Sequence, residues 1–308
     1  MRALLLWAAR NRWLRTWVPR AWFARRAVRR FMPGERLEDA LDAAERLKAR
    51  RIGALFTHLG ENLTDAAEAD AVAAHYREAL GRIRERGIDG EISVKLTQLG
   101  LDLDPELAKR HLAALADRAR ELDAGVVWID MEGSAYTEAT VALYEALKAD
   151  HPNLGICLQA YLRRTPDDVR RLLRLGRAHV RMVKGAYDEP VRVAYRARAE
   201  VDAAYVAQCV TLLVEGRADG GRLGLGTHDV RLIEQVAAAA AAAGIATEAF
   251  EVEMLYGVRA DQQERLARAG YATRTLIAYG AFWYPWYVRR LAERPANVLF
   301  VLRQMLPW

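Results

Sequence analysis

The sequence predicts an α/β protein, with a (β/α)8 TIM-type barrel at residues 51–308 and an N-terminal helical arm at residues 1–50. Three observations point to it. Short β-branched or apolar runs alternate eight times with segments of helical period. No Pro-, Gly- or Ser-rich linker divides the chain. Helices between successive strands force those strands to run parallel, and eight such units favour a closed barrel over an open sheet. An open nucleotide-binding sheet would need fewer units and a glycine-rich turn after its first strand. No GxGxxG or P-loop occurs, and Gly221, Gly224 and Gly226 have the wrong spacing. With 308 residues, 52% of them hydrophobic, the chain can bury one large core.

The elements follow in order. Helical segments at 4–31, interrupted at Pro19, and at 35–50 form the arm. Strands are expected at 52–56, 92–95, 126–129, 154–158, 179–183, 223–226, 245–250 and 273–277. Each precedes a segment of helical period, at 65–86, 106–123, 137–148, 167–175, 199–214, 230–243, 261–268 and 288–305. Asp104-Pro105 and Thr165-Pro166 are helix starts, because proline's fixed φ suits a first turn whose N–H has no partner. Gly87, Gly176 and Gly244 are helix stops.

Composition removes several function classes. The formal charge of +6 is concentrated: nine arginines and no acid lie in the first thirty residues, so the remainder is slightly acidic. That argues against a nucleic-acid groove in the main body. No apolar run approaches the ~20 residues needed to span a bilayer, so a soluble chain is expected. Cys157 and Cys209 stand in apolar contexts without CxxC spacing and read as free thiols in the reducing cytoplasm. The six histidines form no HxH or HxxxH pair, so no metal site is expected, and no GxSxG elbow is present. The arm carries Trp7, Trp13, Trp17 and Trp22 among its arginines. Its pattern suits packing over the barrel, peripheral contact with an anionic membrane face, or a targeting role, and the residues leave these open.

Active sites of such barrels form at the C-terminal ends of the strands, where the loops converge. The second strand ends in Lys95, the third in Asp130 and Glu132, and the fourth in Gln159. The fifth supplies Arg181 and Lys184, the sixth Thr227, His228 and Asp229, and the seventh Glu251 and Glu253. One charge at a strand end is ordinarily a contact with water; six successive ends at one rim suggest a site. A cation within an apolar strand must be paired or ligand-bound, which makes Arg181 and Lys184 the most informative and suits an anionic or electron-rich ligand. Near the end of the chain, adjacent Arg289 and Arg290 offer two planar forks matched to a carboxylate, and Glu293 stands four residues after Arg289.

A set of segments carries a more specific signal. They are Gly60-Glu61-Asn62, SVKLTQLGLDLD at 93–104, VWIDMEGS at 127–134, LQAYLRRT at 158–165, VRMVKGAYDEP at 180–190, LGTHD at 225–229, FEVEMLYG at 250–257 and YVRRLAERPAN at 287–297. In this order and over about residues 35–303 they resemble the proline dehydrogenase family, including the corresponding domain of bifunctional proline utilisation enzymes. The resemblance implies noncovalent FAD, oxidation of L-proline to Δ1-pyrroline-5-carboxylate, a quinone as electron acceptor, and pyrroline-5-carboxylate dehydrogenase as the downstream enzyme.

Site roles come from the same resemblance. It implies that Lys95, Arg289 and Arg290 hold the substrate carboxylate, that Asp130 orients and neutralises those cations, and that Tyr187 and Leu255 line the proline ring. Gln159, Arg181, Val183, Lys184, Gly185, Ala186, Thr227 and His228 would contact the flavin or its tail, Arg198 the phosphates, and Glu293 would tie the last helix to the site. Two positions depart from the family's pattern: Leu276 stands where Tyr is usual, and Glu253 where Gln is common. The missing Tyr leaves oxidation of hydroxyproline or another cyclic or N-alkyl amino acid as an alternative. A non-catalytic, membrane-attached barrel scaffold is the alternative from a different class.

Overall fold

The computed structural model describes residues 11–18, 22, 24, 28–60, 63–216 and 220–293, and of residues 12, 15, 16 and 289–293 the backbone alone. Eight parallel strands close on themselves in chain order: β1 (Gly53–His58), β2 (Gly90–Val94), β3 (Val127–Ile129), β4 (Leu154–Gln159), β5 (His179–Val183), β6 (Leu223–Gly226), β7 (Phe250–Leu255) and β8 (Ala272–Tyr279). Closure is made by six residue pairs between β1 and β8, from Gly53↔Arg274 to His58↔Tyr279.

Around the strands lie helices whose starts and stops have local causes. After α1 (Arg12–Trp17) and α2 (Leu37–Lys48) of the arm come α3 (Ala66–Glu85), α4 (Pro105–Glu121), α5 (Thr137–Lys148), α6 (Thr165–Arg174), α7 (Arg198–Glu215), α8 (Val230–Ala242), α9 (Ala260–Arg268) and α10 (Trp283–Glu293). Asp65 and Asp104 accept from the backbone N–H groups of Glu68 and Glu106, each at 3.0 Å, satisfying donors that a helix start leaves open. The three expected stop glycines all take positive φ.

The main core lies between sheet and helices. Ala54, Phe56, Ile92, Val94, Val127, Ile129, Ile156, Leu158, Val180, Met182, Leu225, Val252 and Met254 face outward into it. Period-2 alternation then turns Leu55, Glu91, Ser93, Trp128, Arg181, Glu251, Glu253 and Arg274 into the barrel. Most barrels of this kind fill that space with branched aliphatics. Here a small apolar patch of Leu55, Val126, Trp128 and Leu276 shares it with charges.

The seventh strand is a correction. The expected run 245–250 ends where the strand begins, at Phe250. Ile245 instead closes the preceding helix, its N–H donating to Ala240 O at 2.9 Å, and Thr247–Ala249 makes a 3-10 turn. The apolar run misled because half of the true strand faces a charged interior. The last helix begins five residues ahead of the expected 288, at Trp283, and positions 294–305 of the expectation lie outside the described residues. So does half of the expected 4–31 helix.

A second apolar cluster binds the arm to the barrel. Ala24, Val28 and Met32 are buried with Leu59, Ala278, Trp283, Tyr284, Trp286, Tyr287 and Val288. Trp283 Nε1 donates to Glu35 at 3.1 Å. Because Leu59 and Ala278 lie at the C-terminal ends of β1 and β8, arm and last helix pack together on that end. Packing over the barrel is therefore part of the arm's role, while Trp13, Trp17 and Trp22 stay exposed. Among the described residues, no helix is long and apolar enough to cross a membrane.

Candidate active site

The barrel interior is layered. At its N-terminal end, Glu91 of β2 accepts from Trp128 Nε1 at 2.7 Å and from Val126 N at 3.0 Å. Arg222 bridges Glu91 to Glu251 of β7, and Arg274 of β8 joins Glu251 at 3.0 Å to Asp89 at 2.9 Å. The cations Arg222 and Arg274 hold the Glu91 carboxyl below its ordinary range, overcoming a burial effect that acts the other way. The set is a plug of paired charge, facing away from the loops where such barrels do chemistry.

Above it sits Arg181 of β5, buried to 4% exposure. Its Nη1 donates to Ser93 Oγ at 2.9 Å and to Asp130 Oδ1 at 3.1 Å, and its Nε pairs with Glu253 of β7. Ser93 Oγ donates to the same Asp130 oxygen at 2.7 Å. The guanidinium lies 4.8 Å from the Trp128 ring, which also carries Arg222 at 5.7 Å. Arg181 Nη2 is buried and has no partner among the described residues.

The top layer is the open one. Lys95, Asp130, Val183 and Leu255 are half-buried there, at the C-terminal ends of four strands, and half-buried Leu276 stands three residues before the end of β8. Leu255 pairs in register with Leu276. The Lys95 side chain makes no hydrogen bond or ion pair to any described residue; nearby Glu132 is held by Thr97, and burial pushes the Glu132 carboxyl up. Gln159 anchors its amide through Nε2 to Glu132 O at 2.7 Å, leaving its Oε1 buried without a described partner.

One sector of the rim is cationic. Lys184 reaches Asp202 of α7 at 2.5 Å and Asp229 at 3.5 Å, while Arg198 and Arg231 meet Asp229 at 3.1 and 2.9 Å. Three cations thus face two carboxylates, and Asp229 is held well below the ordinary carboxylate range, first by its bond from Arg231 and then by Lys184 and Arg198. Thr227 and His228 precede Asp229, and Thr227 Oγ1 accepts from Asp229 N at 3.1 Å. Gly185 has φ +117°, and a Cβ there would meet the Tyr161 ring at 2.1 Å, so only glycine fits. Ala186 is exposed beyond it, and Tyr187 returns toward Gly133, 3.9 Å from where a Cβ on that glycine would lie.

A family model described as Proline dehydrogenase matches residues 40–303 of this barrel. The chain belongs to the proline dehydrogenase family. Proline dehydrogenase 1 of Bacillus subtilis is 35% identical over 306 residues, 99% of each chain. Proline dehydrogenase of Deinococcus radiodurans is 34% identical over 282 residues, 90% of this chain and 89% of that one. Among solved structures, a proline utilization A protein from Bdellovibrio bacteriovorus superimposes with a TM-score of 0.81 at 24% identity, over 89% of this chain and 33% of that longer one.

In this proline dehydrogenase family barrel, Lys95, Asp130, Gln159, Val183, Leu255 and Leu276 share the mouth, with Arg181 beneath them. Arg289, Arg290 and Glu293 are on the helix that packs at the same end, but their side chains lie outside the described residues. The uniform rim of strand-end charges needs correcting. Arg181 and Glu253 lie within the barrel, and Glu251 belongs to the plug at its far end. Arg181 and Lys184, three positions apart, point to opposite sides of the strand as its alternation requires. Ser93, Trp128 and the Glu91–Arg222–Glu251–Arg274 plug were missed. Their signal was charge at every second position of a strand, as in Glu91-Ser93-Lys95 and Glu251-Glu253.

Proposed function

We propose that the chain is an FAD-dependent proline dehydrogenase that oxidises L-proline to Δ1-pyrroline-5-carboxylate and passes the electrons to a quinone. The observation that carries this reading is the mouth of half-buried Lys95, Asp130, Leu255 and Leu276 above a buried arginine, in a chain of this family.

The residues present fit a flavin. Two orphaned polar atoms, the donor Arg181 Nη2 and the acceptor Gln159 Oε1, are buried near the mouth. Buried polar atoms seldom remain unpaired, and a planar heterocycle bearing both an N–H and acceptor atoms satisfies the pair. Val183, Gly185 and Ala186 would border the ring, and Lys184, Thr227, His228 and the exposed Arg198 would hold the anionic tail. Bound FAD supplies the two-electron acceptor that takes hydride from the substrate.

The chain's own residues then position and neutralise. Lys95, with Arg289 and Arg290, grips the substrate carboxylate; Asp130 balances those cations and fixes Arg181; Tyr187, Leu255 and Leu276 enclose the ring; Glu293 ties the last helix to the site. Clamping a small rigid substrate converts the encounter into an effectively unimolecular step. Arg181, held from three sides, is pre-aimed at charge developing on the acceptor.

A quinone dissolved in lipid implies contact with a membrane face, and the arm supports it: Trp13, Trp17 and Trp22 are 66%, 52% and 73% exposed on an arginine-rich segment. Co-sedimentation with vesicles containing anionic lipid, lost on replacing these tryptophans by Ser, tests that contact. The product would pass to pyrroline-5-carboxylate dehydrogenase.

The reading is tested with the purified protein. It predicts a flavin absorption spectrum at one FAD per chain and proline-dependent reduction of a short-chain quinone. A colourless protein that cannot be reconstituted with FAD refutes it. Oxidation of a ring-hydroxylated proline is a second reading, favoured by apolar Leu276 packed against Leu55, Val126 and Trp128.

A further inference from the structure

Glu253 is the interior carboxylate that the proposed chemistry does not use. It lies on β7 at 5% exposure, opposite Gly226 and Arg274 in the register, and one of its oxygens pairs with Arg181 Nε. The other oxygen is buried without a described partner, in space left by Gly224, whose Cβ would collide with it at 2.1 Å. A neutral side chain would suffice to fill that space. The carboxylate therefore does something besides packing.

Charge shows what. Arg181 already has one carboxylate in Asp130, which with Ser93 holds its Nη1. Glu253 adds a second from the opposite side, so one guanidinium faces two carboxylates. Cys157 of β4, Glu251 of β7, Glu91 of β2 and Tyr205 of α7 also face the pair. None of these supplies a further cation, and the plug's arginines are taken by Glu91 and Glu251. With Glu253 ionised, two carboxylates outweigh the one guanidinium they share.

We propose that Glu253 is a positioning residue that locks Arg181 through Nε and, by its charge, lowers the electron affinity of the flavin bound above it. This rests on the flavin reading given above. A ring that gains electron density on reduction is penalised by a nearby uncompensated carboxylate, and little water is present to screen it. Burial raises the Glu253 carboxyl above its ordinary range despite Arg181, so its charge is most fully present on the alkaline side of neutrality, where the comparison is made.

The test compares holoenzymes of the wild type, Glu253→Gln, Glu253→Met and Glu253→Asp. Readouts are the flavin midpoint potential, from dye equilibration, and affinity for sulfite, which adds to electron-poor flavins. The neutral variants are expected to bind sulfite about tenfold more tightly and to have a two-electron potential higher by about 30 mV, the equivalent of a tenfold change. Glu253→Asp, which keeps the charge, should stay within about threefold of wild type. Glu253→Met serves if the Gln variant does not fold. Neutral variants matching the wild type overturn the proposal, as does an Asp variant displaced as far as Gln, which would make the effect one of packing. Wild-type protein without flavin sinks both this and the reading beneath it; flavin-loaded proteins of equal potential sink this alone.

Discussion

Arg181 Nη1 and Asp130 Oδ1 lie 3.1 Å apart across the barrel interior, and Ser93 Oγ is within 2.9 Å of both. The three side chains come from β5, β3 and β2, so the contact depends on closure of the sheet. It couples the arginine below the mouth to a carboxylate that reaches the mouth itself, and the site inherits the rigidity of the strands.

Removing the carboxylate should therefore harm both function and stability. For Asp130→Ala we expect proline kcat/KM to fall about 100-fold, since a buried cation loses its partner at the mouth. Urea unfolding should show a loss of about 2–3 kcal/mol, the low end for a buried pair, because Asp130 is partly exposed and Glu253 remains. Unchanged kinetics would remove Asp130 from the site.

The proposed function has Lys95 act on the substrate and not on the fold. Because its side chain has no described hydrogen-bond or ion-pair partner, Lys95→Met should leave the urea midpoint near wild type. Its kcat/KM for proline should fall about 30- to 300-fold, expressed mainly in KM. A large loss of stability with little change in KM would assign Lys95 a structural role instead.

Much of this was legible in the sequence. Alternating runs and caps such as Asp104-Pro105 marked the barrel, and the motif at 180–187 marked a strand and the loop at its C-terminal end. What stayed hidden follows from the interior. Pattern reading assumes that inward-facing barrel positions are apolar, so Glu251 and Glu253 looked like the end of a strand when they lie within one. Depth along the barrel axis is likewise absent from a linear pattern, which is why Glu251 and Lys95 seemed to share a rim. The Asp202–Lys184–Asp229 cluster joins the ends of neighbouring strands β5 and β6 to the helix between them, a meeting that linear spacing does not show.

Leu276 should set tolerance toward ring substituents. It packs on Leu55, Val126 and Trp128 and stands beside Leu255 on the neighbouring strand. Leu276→Tyr is expected to raise the ratio of kcat/KM for proline over hydroxyproline about tenfold or more, the range expected of one pocket contact. Measuring both substrates with both proteins checks it; an unchanged ratio places the determinant elsewhere.

Acid should destabilise the fold earlier than carboxylate titration alone would. His58 and His179 are held down to about 4 and about 3, first by burial and next by nearby charge, His75 for the former and Lys148 for the latter. A histidine depressed in the folded state contributes stability above its unfolded value of about 6.5, and loses it as pH falls toward the folded value. Urea midpoints should therefore drop between about pH 6.5 and 4, at up to about 1.4 kcal/mol per pH unit for each histidine. His179→Asn should flatten part of that drop. A flat midpoint across the window would show that both histidines protonate as freely folded as unfolded.

The central claim is that one mouth holds flavin and proline in reacting contact. Anaerobic mixing of the flavin-loaded protein with L-proline, followed by the visible flavin band, tests it most directly. The account predicts complete bleaching in a single saturable phase, and return of the band when quinone is added. A flavin band left unchanged by saturating proline, and by its hydroxylated analogue, would contradict it.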